Sequence, residues 1–304
     1  MPQHKMTAGF NFVAFVDLLG QREKLAQFKG VPKTDEETSA FSRAMLETGG
    51  VVRNIRNSVA EWLTESKHVP EAALVNLPPE RRPEFTSIRT LEAFQTGFSD
   101  SFVVAFPLQV DGIVERLSRA RAVMDTWNAL HGLAALALLS LAQGVPWRGG
   151  IDVGIGLETF PKEVYGPALL SAYSLESTVA EYPRLVLGRG LLDYLTFMER
   201  RPATEPLDAF NASMASHSRK LVCTSEDGWP MLHILSPVVM EASLNLVEAK
   251  ETAHQWVREQ CVRHWSDRNE KLFRRYSRLA RYFDAFRSKP TASTSAEQSE
   301  SADQ

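Results

Sequence analysis

The feature that most constrains this chain is Phe10–Leu19, FNFVAFVDLL, an aromatic and β-branched run bounded by Gly9 and Gly20. It reads as a buried β-strand, and a buried strand needs ladder partners for its backbone. One residue in it is out of place. Asp17 interrupts the apolar run, and a carboxylate buried there without a partner would be costly.

The segments that follow supply the rest of a layered fold. A short helix is expected over residues 21–28. Thr34 and Glu37 make a capping box that opens a helix running to about Glu65. Four prolines (Pro70, Pro78, Pro79, Pro83) mark residues 67–84 as a surface connection. Strands are expected over 86–96 and 101–106, with GFSD between them as a hairpin turn. A long helix over 111–142 ends at Gly144 and Pro146. A glycine-rich strand, WRGGIDVGIG, covers 147–156. A helix over 166–180, a strand over 185–187 and a helix over 191–199 complete the series. This order fits an α+β fold, a mainly antiparallel sheet with helices on one face.

The expected core domain is 1–200, with RPATEPLD (201–208) as its boundary. A C-terminal extension over 201–287 carries a second hairpin around SEDGWP and long helices from about Val247. There Leu272, Tyr276, Leu279, Phe283 and Phe286 form one apolar helical stripe. Residues 251–289 hold ten Lys or Arg against five Asp or Glu. The plain reading is a solvated basic face; RNA or membrane-surface contact is the alternative. Residues 288–304, rich in Ser, Thr, Glu and Ala, are expected to be disordered.

Bulk composition narrows the function classes. A formal net charge of -3 argues against a general nucleic-acid binder. Cys223 and Cys261 are too few for a disulfide framework and lack nearby zinc partners. The first residues, MPQHKMTAGFNF, lack the long apolar run and small-residue cleavage site of a secretory signal, so none is expected, and the greasiest stretch, 133–142, is about half a membrane span and reads as a buried helix. A cytoplasmic protein without membrane insertion is expected.

No phosphate loop, dinucleotide fingerprint, HExxH, CxxC or GxSxG occurs. His131, His217, His233, His254 and His264 are isolated. What remains is a carboxylate at the end of each of two expected strands, Asp17 and Asp100. If the strands are neighbours, the pair converges at one sheet edge, where two carboxylates hold Mg²⁺ or Mn²⁺ against substrate phosphates. Taken singly, Asp17 is equally a helix N-cap and Asp100 a turn residue.

The order of motifs shifts that balance. FVDLLG, GFSDSF, WRGGIDVGIG and YGPALLSAYSLE, in sequence over residues 10–190, resemble the strand-end, hairpin, strand and helix motifs of the class III nucleotide cyclases. The SDS in the hairpin, and the AYxLE helix leading to YPR, are similar to the bacterial pyrimidine cyclases of Pycsar antiphage systems. The resemblance implies a class III cyclase, ferredoxin-like fold and conversion of UTP to 3′,5′-cyclic UMP, a second messenger acting on a separate effector protein. A CTP or purine cyclase and a non-catalytic nucleotide-sensing module are the alternatives. It also implies a homodimer with shared sites and two Mn²⁺ (or Mg²⁺) ions per site. Matched by position, Asp17 and Asp100 are the metal ligands, and Leu18 offers a backbone carbonyl. Thr96 and Glu163 fall at the base-reading positions, and Phe15 is a stacking face. Leu170 and Ser174 occupy the places of the transition-state asparagine and arginine, so Arg148 and Arg184 are the substitute candidates.

Overall fold

The computed structural model describes residues 7–65, 79–83, 86, 93–109, 115–160, 163–202, 204 and 207–286. The expected proline-rich connection falls largely outside them. So do residues 87–92 of the second expected strand, the start of the long helix and the C-terminal tail.

The strands are β1 (Thr7–Leu18), β2 (Phe94–Phe98), β3 (Ser101–Pro107), β4 (Trp147–Phe160), β5 (Glu163–Tyr165), β6 (Leu185–Leu187), β7 (Val222–Thr224) and β8 (Pro230–Leu232). The helices are α1 (Gln21–Leu25), α2 (Asp35–Glu65), α3 (Glu115–Ala142), α4 (Pro167–Ser174), α5 (Arg189–Arg200), α6 (Asp208–Arg219), α7 (Pro237–Met240), α8 (Leu244–Ser266) and α9 (Glu270–Ala285). All eight strands belong to one sheet of order β2-β3-β1-β4-β6-β8-β7, with β5 folded back on β4. Its pairs are antiparallel except β4 with β6. The chain is therefore a mixed α/β protein with one mostly antiparallel sheet.

The anchor strand behaves as its sequence dictates. Side chains alternate across a sheet, and β1 is apolar on both faces, so both must be covered. Phe12, Ala14 and Val16 join Val104 and Phe106 of β3 in a large core with Leu130, Leu133 and Leu138 of α3. Val13 joins Val103 and Ala105 in a smaller cluster against Ala168 and Ala172 of α4. Helices thus lie on both faces of the sheet, not on one. Gly150 makes the second layer possible, since a Cβ there would lie 2.1 Å from the carbonyl oxygen of Ala172. Among the described residues α3 is the one helix long and apolar enough to cross a bilayer, and 67% of its most apolar window is buried within the protein. It is the core helix that its sequence suggests.

The capping box at Thr34 forms as read: the Glu37 amide donates to Thr34 Oγ1 at 3.2 Å and the Thr34 amide to Glu37 Oε2 at 3.4 Å. Several details differ from expectation. Thr86 is helical rather than the start of a strand. Gly97 lies within β2, and the turn is Ser99–Asp100, with Ser99 at φ 55° as the first central residue of a II′-like hairpin requires. Helix α4 ends at Ser174 and passes into a π-turn over Leu175–Val179, closed by the Ala180 amide on the Leu175 carbonyl at 2.8 Å.

Residue 200 does not separate two cores. The SEDGWP hairpin, β7–β8, extends the main sheet through Val186 and Met231. Leu246, Val257, Leu279 and Phe283 of α8 and α9 are buried in the same cluster as β1. Of the apolar stripe of α9, Leu279 and Phe283 pack inward there, whereas Phe286 is 39% exposed. The helical stretch from 247 is broken at Asp267–Asn269, where Arg268 takes φ 54° and the Asn269 side chain caps α9 by accepting from the Leu272 amide at 3.2 Å.

Candidate functional site

Register brings the two carboxylates together. Asp17, near the end of β1, pairs with Ser101 of β3 on one side and Arg148 of β4 on the other. Asp100 immediately precedes Ser101, and its carbonyl accepts from the Leu18 amide at 3.1 Å. Both aspartates, with Leu18, line one cavity of about 900 Å³ at the end of the sheet.

The turn carrying Asp100 is held from behind. Arg56 of α2 donates through Nη2 to the carbonyls of Ser99 (2.9 Å) and Ser101 (2.6 Å). Its guanidinium lies where a Cβ on Gly97 would be, 2.5 Å from Cζ. Glycine at 97 and arginine at 56 therefore fix the turn jointly, a role that no local pattern in α2 announces.

Asp17 accepts from Ser101 Oγ at 3.0 Å and pairs with Arg148 Nη2 at 3.3 Å. Arg148 also pairs with Glu176, a buried residue of the π-turn. Burial raises the Asp17 pKa; the Ser101 hydrogen bond opposes this, the charge of Asp100 adds to it, and Arg148 lowers it. Burial raises the Glu176 pKa too, against Arg148 and with Asp17. One guanidinium thus stands between two carboxylates. Glu176 is visible in the sequence only as part of the helix motif; the π-turn is what aims it at Arg148, as such turns often do at functional sites.

Phe15 and Thr96 share a sheet row. Each pairs with Val103, so they lie on the α4 face two strands apart, about 10 Å. Phe15 meets the Tyr173 ring of α4 edge to face at 5.3 Å. Thr96, Leu170 and Ser174 are exposed. Glu163 is elsewhere. It pairs with Phe160 whereas Asp17 pairs with Arg148, which separates them by roughly 40 Å of β4. Within the chain the two do not meet.

Arg184 is also outside the cavity. Its guanidinium makes a two-pronged pair with Asp227 (both 2.7 Å) and donates to Ser225 Oγ at 2.9 Å and the Val179 carbonyl at 2.7 Å. It is 6% exposed, and it holds the Asp227 carboxyl well below the usual range. Arg184 is tied to the β7–β8 hairpin, with no donor aimed at the carboxylates.

The donor chemistry suits a hard divalent ion. Mg²⁺ and Mn²⁺ are commonly held by one or two carboxylates, with substrate phosphates completing the shell, rather than by an all-protein cage. Asp17 and Asp100 repel each other, and a cation between them would relieve that. No group of three or more His, Cys, Asp or Glu suited to a metal occurs among the described residues, so two carboxylates and a backbone carbonyl are what the protein offers.

Comparison with known protein families and with curated proteins returns no match for this chain.

Proposed function

We propose that the chain is a pyrimidine nucleotide cyclase that converts UTP to 3′,5′-cyclic UMP and pyrophosphate. The observation that carries this reading is the convergence of Asp17 and Asp100, from two paired strand ends, on one cavity that five Lys or Arg side chains also line. Two carboxylates with surrounding cations suit a metal-bound polyphosphate. Bound there, divalent ions would lower the pKa of the ribose 3′ hydroxyl and offset triphosphate charge.

The protein's own groups mainly position. Asp17 and Asp100 would hold the ions, and Leu18, which lines the same cavity, would offer its backbone carbonyl. The 3′ oxygen bonds to the α-phosphorus, the bond from that phosphorus to the bridging oxygen breaks, and pyrophosphate leaves with its electron pair. The hydroxyl proton passes to solvent. Arg148, held by Asp17 and Glu176, is the guanidinium paired with Asp17 and so placed to meet developing phosphoryl charge. Phe15 offers an aromatic face to the base and Thr96 a short hydroxyl in the same row, a pairing suited to a pyrimidine. The preference for uracil over cytosine rests on the resemblance to Pycsar cyclases, as do the cytoplasmic location, the separate effector and the role in defence.

Glu163 would reach such a site only from a second copy of the chain, in the closed two-fold homodimer that the resemblance to the class III cyclases implies. Leu170 (64% exposed) and Tyr173 (50%) stand on the outer surface of α4, beside the row that holds Phe15, and suit such a contact.

The test is incubation with equal UTP, CTP, ATP and GTP plus Mn²⁺, followed by product analysis. Cyclic UMP should dominate, and D17N or D100N should abolish it while leaving folding intact. Full turnover in either variant refutes the metal assignment, and purine products refute the base. Mixing inactive D100N with inactive E163A should restore activity through one mixed site; failure to complement refutes sharing across subunits.

A further inference from the structure

We propose that the first two turns of α9, through Lys271 and Arg275, form a polyphosphate-binding wall facing the Asp17–Asp100 pair. The inference rests on the cyclase reading for its natural ligand, the nucleoside triphosphate, and assigns the C-terminal helices a part in binding it.

The placement of these helices is fixed by packing. Tyr276 is clamped between Trp256, edge to face at 5.6 Å, and His264, stacked at 5.4 Å. The tight corner at Asp267–Asn269 and the Asn269 cap then set where α9 begins. Leu279 and Phe283 bury its far end in the core. As a result Lys271, Leu272, Arg275 and Tyr276 line the same cavity as Asp17 and Asp100, together with Lys24 beyond β1 and Arg263 of α8.

Charge pairing separates these cations from their neighbours. Arg274 pairs with Glu270, Arg278 with Glu181 and Glu226, and Arg281 with Glu226. Arg263 is weakly tied to Asp267 at 3.8 Å. Lys24, Lys271 and Arg275 have no carboxylate within 4.0 Å among the described residues. Lys271 and Arg275 also border a second depression that holds Glu181, Glu226 and Glu270, yet those acids are engaged by other arginines. A packed surface usually neutralises its charges. Here the unneutralised cations are gathered opposite two carboxylates, the arrangement expected where the missing anion is a ligand that also carries metal.

The experiment separates the wall from the chemistry. Binding of inorganic tripolyphosphate to the full chain is measured by calorimetry in EDTA, without divalent metal. Wild-type protein and R274Q should bind alike, K271Q/R275Q at least about tenfold more weakly, and K271R/R275K close to wild type. D17N/D100N should bind as well as wild type or better. Circular dichroism checks that each variant is folded. No binding by wild type, or undiminished binding by K271Q/R275Q, overturns the proposal. Tight binding of RNA that depends on these two residues, with none of tripolyphosphate, overturns it in favour of a nucleic-acid surface. A protein that makes no cyclic product from any NTP but shows the expected binding series would refute the cyclase reading and leave the wall standing.

Discussion

Replacing Arg148 by Met tests the electrostatics of the site. The guanidinium contacts Asp17 at 3.3 Å and also Glu176, with Arg148 and Asp17 about a fifth exposed (22% and 21%) and Glu176 at 5%. At an effective dielectric near 20, a pair at that distance gains about 5 kcal/mol of Coulomb energy, most of which desolvation offsets. Removing one partner leaves the others buried and uncompensated, so R148M should lose about 2–3 kcal/mol at neutral pH, discounted for the partial exposure. The sign with pH is fixed. Both carboxyls titrate above their ordinary values in the folded protein. A raised carboxyl costs nothing below its unfolded pKa, and its cost develops as pH rises through the folded one. Arg148 lowers both pKa values, so without it they rise further and the penalty grows. The deficit of R148M against wild type, from urea unfolding, should therefore be small near pH 4 and largest near pH 8. A deficit that does not change with pH would refute the ion-pair account and leave only lost packing.

Three further outcomes are expected. G97A should push the Arg56 guanidinium off the Ser99 and Ser101 carbonyls, costing about 1–3 kcal/mol and weakening Mn²⁺ binding, since the turn that carries Asp100 loosens; unchanged Mn²⁺ affinity would refute that coupling. R184K should destabilise by about 2–4 kcal/mol because an ammonium cannot reproduce the two-pronged pair with Asp227. A stable R184K that had lost turnover would instead make Arg184 catalytic. Burial lowers the pKa of His233, whose Nδ1 lies 2.8 Å from the Tyr282 hydroxyl, to about 4. The stability of its neutral form is complete above about pH 6.5 and lost as pH falls toward 4, by roughly 3 kcal/mol. H233Q should flatten that acid limb, and an unchanged slope between pH 7 and 4.5 would refute it.

The sequence by itself determined the elements with strong local signals. The apolar run of β1, the Thr34–Glu37 box, the breakers at Gly144 and Pro146, and the 3-and-4 spacing of Leu279 and Phe283 each act over a few residues, where backbone preference and periodicity decide. It also singled out Asp17, because a carboxylate in an apolar strand has to be explained, and Asp100, because it sits in the turn just before another apolar strand. It could not show which strand lies beside which. Register alone brings Ser101 and Arg148 to Asp17 and leaves Glu163 at the far end of β4. Nor could it tell a solvated basic helix from a cavity wall: Arg274 and Arg275 are adjacent in sequence, yet one is paired with Glu270 and the other lines the cavity that Asp17 and Asp100 also line. Arg184, a substitute candidate for the transition-state donor by its place in the sequence, is tied up by Asp227, 43 residues away. Pairing across such separations depends on where α9 and the β7–β8 hairpin dock, and docking is set by the whole buried surface rather than by any local stretch. The two-sided cover of the sheet was decided in the same way, because only close packing at Gly150 lets α4 lie on the face opposite α3.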